Sequence, residues 1–222
     1  MATGGSLSGP HAGAEMIEAG APLHESRGAL ILLHGRGASA TDILGLGYEI
    51  APEGVALLAP QAVGNAWYPK SFLAPIEENE PWLSSALGLV EWLVERCLAA
   101  GINPERVAVS GFSQGACLST EFVARHPRRY AAVAAFTGGL IGPPGLDLHH
   151  EGRLDGTPVL FSSGDPDPHV PWVRVQESAR ELEAMGAQVE VRQHVLRPHT
   201  ILPAEVKMGR DLMQAAFDGT QQ

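Results

Sequence analysis

An α/β architecture, a single domain built on a doubly wound, mostly parallel sheet with helices on both faces, is what this sequence predicts. Three observations carry the prediction. Short apolar runs alternate with longer amphipathic stretches; the apolar runs are continuous rather than alternating; and no linker or composition break divides the series. A strand that is apolar at every position has both faces buried, as a parallel strand covered by helices does.

The elements follow in order. Residues 1–13 are rich in glycine, serine and alanine and read as a mobile tail, leaving 14–222 as the domain. "GALILLHG" (28–35) is a continuous apolar run ended by glycine, and "GVALLAP" (54–60) is a second one closed by proline. "EPWLSSALGLVEWLVERCLAAG" (80–101) has helical spacing. Trp82, Leu83, Ala86, Leu87, Val90, Leu93, Val94 and Cys97 form one stripe, and Gly101 suits the end. "RVAVSG" (106–111) reads as a strand and 114–126 as the helix after it. "YAAVAAFTGG" (130–139) and "TPVLFSSG" (157–164) read as further strands. A helix over about 171–185 stops at Gly186, "AQVEVRQHV" (187–195) alternates like a strand, and 203–217 closes the chain as a helix.

Bulk composition narrows the function classes. With 45% hydrophobic and 18% charged residues the chain is ordinary globular material rather than disorder. A net charge of −10 argues against nucleic acid and anionic membrane surfaces as partners. No run approaches the roughly 18 apolar residues of a membrane span, so stable membrane insertion is not expected. The first residues show neither a basic start nor an apolar core, so a cytoplasmic location is expected. Cys97 and Cys117 both fall in helical runs and read as small buried hydrophobes.

In such sheets ligands bind beyond the carboxyl ends of the strands, which directs attention to the loops after 33, 110, 163 and 195. Ser113 lies at one of them, in "VAVSGFSQGACLS", between Gly111 and Gly115. A strand–turn–helix elbow holds its central residue in strained geometry with the hydroxyl exposed. The flanking glycines are needed because a β-carbon at either place would strike neighbouring chain. Serine at its free pKa is a poor nucleophile and needs a base oriented by a carboxylate. "GDPDPHVPW" supplies Asp165 and Asp167 after one strand, and "LRPHTIL" supplies His199 after the next. The order Ser, Asp, His is the one this kind of sheet uses. His194 lies within a strand, His169 is too near the aspartates to come from a separate strand end, and His149 and His150 read as solvated loop residues. Donors for a developing oxyanion are expected from the backbone N–H of Gln114 and from the loop "LLHGRGAS", where Arg36 follows His-Gly.

"LLHGRGAS", "GFSQGA", "GDPDPHVP" and "PHT" together resemble the phospholipase/carboxylesterase family of α/β-hydrolases, over about residues 25–217. That family includes bacterial carboxylesterases and acyl-protein thioesterases. The resemblance implies an α/β-hydrolase fold; the core alternation uses up nearly all of the chain, so no large cap domain is expected, and neither a cofactor nor a metal is expected. It places the nucleophile on Ser113, the acid on Asp167 rather than Asp165, the base on His199, and the oxyanion amides on Arg36 and Gln114. It also puts Trp67 near the nucleophile, as a substrate contact within the segment 61–81, where Tyr68, Phe72 and Leu73 are candidates for an apolar wall. Two departures stand out: Arg36 occupies a position where thioesterase members usually carry leucine, which changes pocket polarity, and Pro198 precedes the histidine where glycine is common.

The expected activity is serine carboxylic-ester hydrolysis of short-to-medium acyl esters through an acyl-enzyme, with a small-molecule ester as partner and a homodimer left open. Two readings compete: an acyl-protein thioesterase or lysophospholipase, and a non-catalytic binding protein of the same fold. A metallohydrolase finds no support in the nine histidines, since neither His-Glu-x-x-His nor paired Cys-x-x-Cys occurs.

Overall fold

A computed structural model of the chain describes residues 7–219. Among these, seven strands form one sheet in the order β1-β3-β2-β4-β5-β6-β7. They are β1 (Met16–Gly20), β2 (Gly28–Leu33), β3 (Val55–Pro60), β4 (Val107–Phe112), β5 (Val133–Phe136), β6 (Pro158–Asp165) and β7 (Gln188–Val195). All neighbours pair in parallel except β1, which runs antiparallel to β3 at one edge. The helices are α1 (Ala40–Ile50), α2 (Trp82–Ala99), α3 (Gln114–Arg125), α4 (Trp172–Ala184) and α5 (Pro203–Asp218).

The continuous apolar runs behave as double-sided strands. In β2, Ala29, Ile31 and Leu33 join one core with residues of α2, α3 and α4. Leu30 and Leu32 join a second core with Ile43 and Leu44 of α1 and with Met213 and Phe217 of α5. Successive side chains of a strand point to opposite faces, so a strand in the middle layer needs apolar residues at every position. Each such Leu or Ile, fully buried, contributes about 1.5–3 kcal/mol. Cys97 and Cys117 are buried in the first core, and burial pushes both thiols up to about 12.

The structure adds two elements to those the sequence predicts. β1 is short and half-polar, so its apolar signal is weak, while α1 is started by a reciprocal Ser39–Asp42 capping box. The strand expected over 130–139 is confined to Val133–Phe136, with Thr137 turning the chain at φ 58°.

The tail reading requires a larger correction. Residues 1–6 lie outside the described residues, but 7–13 pack against the domain. His11 is wholly buried between the rings of Trp67 and Trp82. Its Nε2–H donates to the Trp67 carbonyl (3.0 Å), its Nδ1 accepts from the Val63 N–H, and its own N–H donates to Ser85 Oγ (2.9 Å). One aromatic residue, with two hydrogen bonds from its ring and one from its backbone, outweighs the small, polar composition around it. Burial pulls the His11 pKa down, consistent with a neutral imidazole.

Candidate active site

The serine elbow has the geometry its glycines require. Ser113 sits between β4 and α3 at φ 54° and ψ −117°, a left-handed conformation costly for a side-chain-bearing residue. A β-carbon on Gly111 would come within 2.4 Å of the Gly115 carbonyl carbon, and one on Gly115 within 2.0 Å of the Leu33 oxygen. Both contacts are with backbone, which cannot step aside. The tight turn is therefore possible only with these two glycines.

Three strand ends converge on the serine. Ser113 Oγ lies 2.9 Å from His199 Nε2, and His199 Nδ1 lies 2.8 Å from Asp167 Oδ2. With Asp167 as acceptor, Nδ1 carries the proton and Nε2 is free to accept from the serine. The Asp167 side chain is sealed from solvent. Its other oxygen accepts the backbone N–H groups of His169 and Val170, each at 2.9 Å. Burial alone would raise this carboxyl. The hydrogen bonds from His199, His169 and Val170 outweigh it and hold the pKa below the ordinary carboxylate range. Asp165 stays at the end of β6 and accepts from Gln193 instead. The His199 ring is flanked by Phe112 (5.0 Å) and His169 (4.8 Å).

The histidine loop between β7 and α5 is clamped from beneath. Arg197, itself buried, donates to the carbonyls of Pro198 (2.9 Å) and Thr200, on either side of His199, and to Thr137 Oγ1 (2.6 Å). Its Nε lies 3.2 Å from the carboxylate of Glu205, which is also fully buried. Glu205 further accepts from the Leu202 N–H at the start of α5 and from Ser162 Oγ on β6. Ser162 Oγ also meets His194 Nε2 at 2.9 Å, so His194 is a supporting residue of this network.

On the opposite side, the loop after β2 and the segment 61–81 brace each other. Gln114 Oε1 accepts the Trp67 N–H (2.9 Å) and Gln114 Nε2 donates to the Tyr68 carbonyl (2.8 Å). Trp67 Nε1–H donates to the His34 carbonyl (2.8 Å), while His34 Nδ1–H donates to the Gly35 carbonyl. Arg36 closes the brace by donating to the carbonyls of Tyr68 (2.9 Å) and Pro69 (3.0 Å), and also to that of Lys70. The Gln114 N–H is at the first position of α3, where no helical carbonyl can receive it.

A cavity of about 470 Å³ opens beside Ser113 and His199, with Arg36, Tyr68, Lys70, Phe72, Gln114 and His169 among its walls. Trp67 is not one of them. It is completely buried beneath the cavity, against His11 and His34. The expected substrate contact by Trp67 is thereby corrected: its Nε1–H holds the loop after β2 through the His34 carbonyl, its backbone N–H donates to Gln114, its carbonyl accepts from His11, and its ring belongs to the core. Tyr68 and Phe72 do face the cavity. His169 is the residue that sequence distance argued away; its place beside His199 follows from the turn at Asp167, which folds the chain back within two residues.

A strained serine on a β-to-α elbow, with His199 and Asp167 from the ends of neighbouring strands, defines an α/β-hydrolase-fold protein. The chain belongs to the phospholipase/carboxylesterase family, whose model matches residues 13–215. A crystal structure of a phospholipase/carboxylesterase from Dyadobacter fermentans DSM 18053 is 43% identical. It superposes with a TM-score of 0.87, covering 90% of this chain and 96% of that one. A protein of Nocardia uniformis subsp. tsuyamanensis proposed to be an esterase, NocK, is 31% identical over 176 residues, 76% of this chain and 48% of that protein. Acyl-protein thioesterase 1 of Saccharomyces cerevisiae is 33% identical over 87 residues, 39% of this chain and 38% of that protein. The chain spans half or less of the length of these two curated relatives. Among the described residues no helix is long and apolar enough to cross a membrane.

Proposed function

We propose that the protein hydrolyses carboxylic esters of short to medium acyl chain through a covalent acyl-enzyme. The observation that carries this reading is the unbroken line of hydrogen bonds from Asp167 through His199 to a serine held at positive φ. Ser113 Oγ attacks the ester carbonyl while His199 Nε2 takes its proton. Negative charge gathering on the carbonyl oxygen is met by the backbone N–H groups of Arg36 and Gln114. His199 then gives the proton to the departing alcohol, and water repeats the sequence on the acyl-serine. Asp167 keeps the imidazole in the tautomer that both steps need.

The cavity dimensions favour small acyl groups. Methylene groups that extend past about 470 Å³ of space remain in water, forgoing roughly 0.8 kcal/mol each. A fluorophosphonate probe tests the reading directly: it should label the wild-type protein and leave Ser113→Ala unlabelled. Absence of labelling in the folded wild type would remove the nucleophile from the mechanism and favour a binding protein of the same fold.

The two aspartates should separate cleanly. Asp167→Asn is expected to cripple turnover, on the order of 10⁴-fold, because the amide favours the wrong imidazole tautomer. Asp165→Asn should cost far less, since it loses only its contact with Gln193. The depressed Asp167 pKa also sets a pH dependence of stability. A carboxyl whose folded pKa lies below its unfolded value stabilises the fold above about pH 4, and that contribution disappears as pH falls through the folded pKa. In urea titrations the stability gap between wild type and Asp167→Asn should therefore close with acidification below about pH 4. A gap that stayed constant would show that Asp167 is not ionised in the folded protein.

A further inference from the structure

The cavity beside Ser113 is cationic in a protein that is not. The chain carries 25 acidic and 15 basic residues, yet the cavity walls hold Arg36 and Lys70 and no carboxylate. Elsewhere arginines are matched with acids: Arg27 with Asp218, Arg96 with Glu18, Arg192 with Glu190, Arg210 with Glu49. Among the described residues neither Arg36 nor Lys70 enters an ion pair. The Arg36 guanidinium donates to three backbone carbonyls, which take up three of its five N–H groups and leave its positive charge without a carboxylate partner. Lys70 is exposed at the same wall. Asp167 is close in sequence to the wall residue His169, but its carboxylate is sealed behind the His199 and backbone hydrogen bonds.

We infer that the substrate is a small ester bearing a negative charge, a carboxylate or comparable anion, which Arg36 and Lys70 draw into the cavity and orient. This rests on the hydrolase reading above and specifies its substrate. Charges of one sign lining a cleft raise the local concentration of oppositely charged ligand, and the effect is large where walls are of low dielectric. Tyr68 and Phe72 supply such walls here, both buried and both facing the cavity. Against a net charge of −10, an anion would otherwise be repelled, so the local reversal has to be built by particular residues. In the proposed mechanism Arg36 then serves two purposes: its backbone N–H meets the developing oxyanion and its side chain carries the charge.

The test compares matched neutral and anionic esters on the full chain. One arm places the charge on the acyl side, para-nitrophenyl hexanoate against the half ester of adipic acid. The other places it on the alcohol side, methyl para-acetoxybenzoate against para-acetoxybenzoate. Each rate is divided by the spontaneous hydrolysis rate of the same ester. The expected result is a kcat/KM ratio favouring the anion by roughly tenfold at low ionic strength in one arm, which identifies the charged side. That ratio should shrink as salt shortens the Debye length below about 10 Å. Lys70→Glu should lower or invert the anionic-to-neutral ratio; the ratio, not the absolute rate, is the readout. A wild-type ratio near one in both arms, or a Lys70→Glu ratio equal to that of wild type, overturns the inference. In that case fluorophosphonate labelling of Ser113 and turnover of the neutral esters would leave the hydrolase reading standing. If no ester is turned over and Ser113 is not labelled, the hydrolase reading itself fails and the inference falls with it.

Discussion

Ser113→Ala should lose on the order of 10⁴-fold or more in kcat on any ester the wild type turns over, with its unfolding midpoint little changed. The loss is large because the reaction is routed through one oxygen. Without it no acyl-enzyme forms, and what remains is the binding and oxyanion contribution to direct attack by water. The fold should survive because alanine has the same β-carbon as serine, so the strained φ of 54° is neither worsened nor relieved. The lost hydroxyl also removes just one partly solvated hydrogen bond, to His199. His199→Ala should produce a loss of similar size, and the double variant should be scarcely worse than either, since the two groups act as one unit. Steady-state kinetics on a chromogenic ester with urea unfolding as control gives both quantities. Retention of more than a tenth of wild-type turnover by either single variant would move the chemistry to another residue.

The second large effect is on stability and lies beneath the site. Glu205→Ala should destabilise the fold by about 3–5 kcal/mol, because it leaves the Arg197 guanidinium buried without its counter-charge. It also strips an acceptor from the Leu202 N–H and from Ser162. The consequence should reach the chemistry, since Arg197 holds the carbonyls on either side of His199. Glu205→Gln keeps the acceptor and loses the charge, and should fall between wild type and alanine in stability. A urea midpoint for Glu205→Ala within about 0.5 kcal/mol of wild type, the range of an ordinary surface change, would show that the buried pair contributes little.

The legibility of this protein varied with the range of the interactions. β2, β3 and β4 could be read because a buried parallel strand must be apolar throughout, and that requirement is local. The elbow could be read because Gly111 and Gly115 are imposed by contacts with β2 and α3 backbone that any side chain would violate. Ser113, His199 and the pair Asp165 and Asp167 were legible as strand-end residues in a fixed order, since a parallel sheet brings successive carboxyl ends together; the choice of Asp167 came only from the resemblance to the family. β1 escaped notice because an edge strand is half exposed and lacks the continuous apolar signal.

The remaining features depended on partners distant in sequence. His11 is buried by Trp67 and Trp82, and the composition of residues 1–13 contains no trace of those rings. The family resemblance placed Trp67 at the substrate, but a fully buried indole can serve only the core and the carbonyl it bonds. That Arg197 clamps the His199 loop, and that Arg36 and Lys70 give an acidic protein a positive cavity, are likewise outcomes of folding. The sequence by itself determined the layered α/β sheet, the serine elbow and the order of the three site residues, because each follows from periodicity, backbone sterics or strand polarity. Only the tertiary structure decided which buried groups support them and what charge faces the cavity, because long-range pairing and exposure arise only when distant segments are brought into contact.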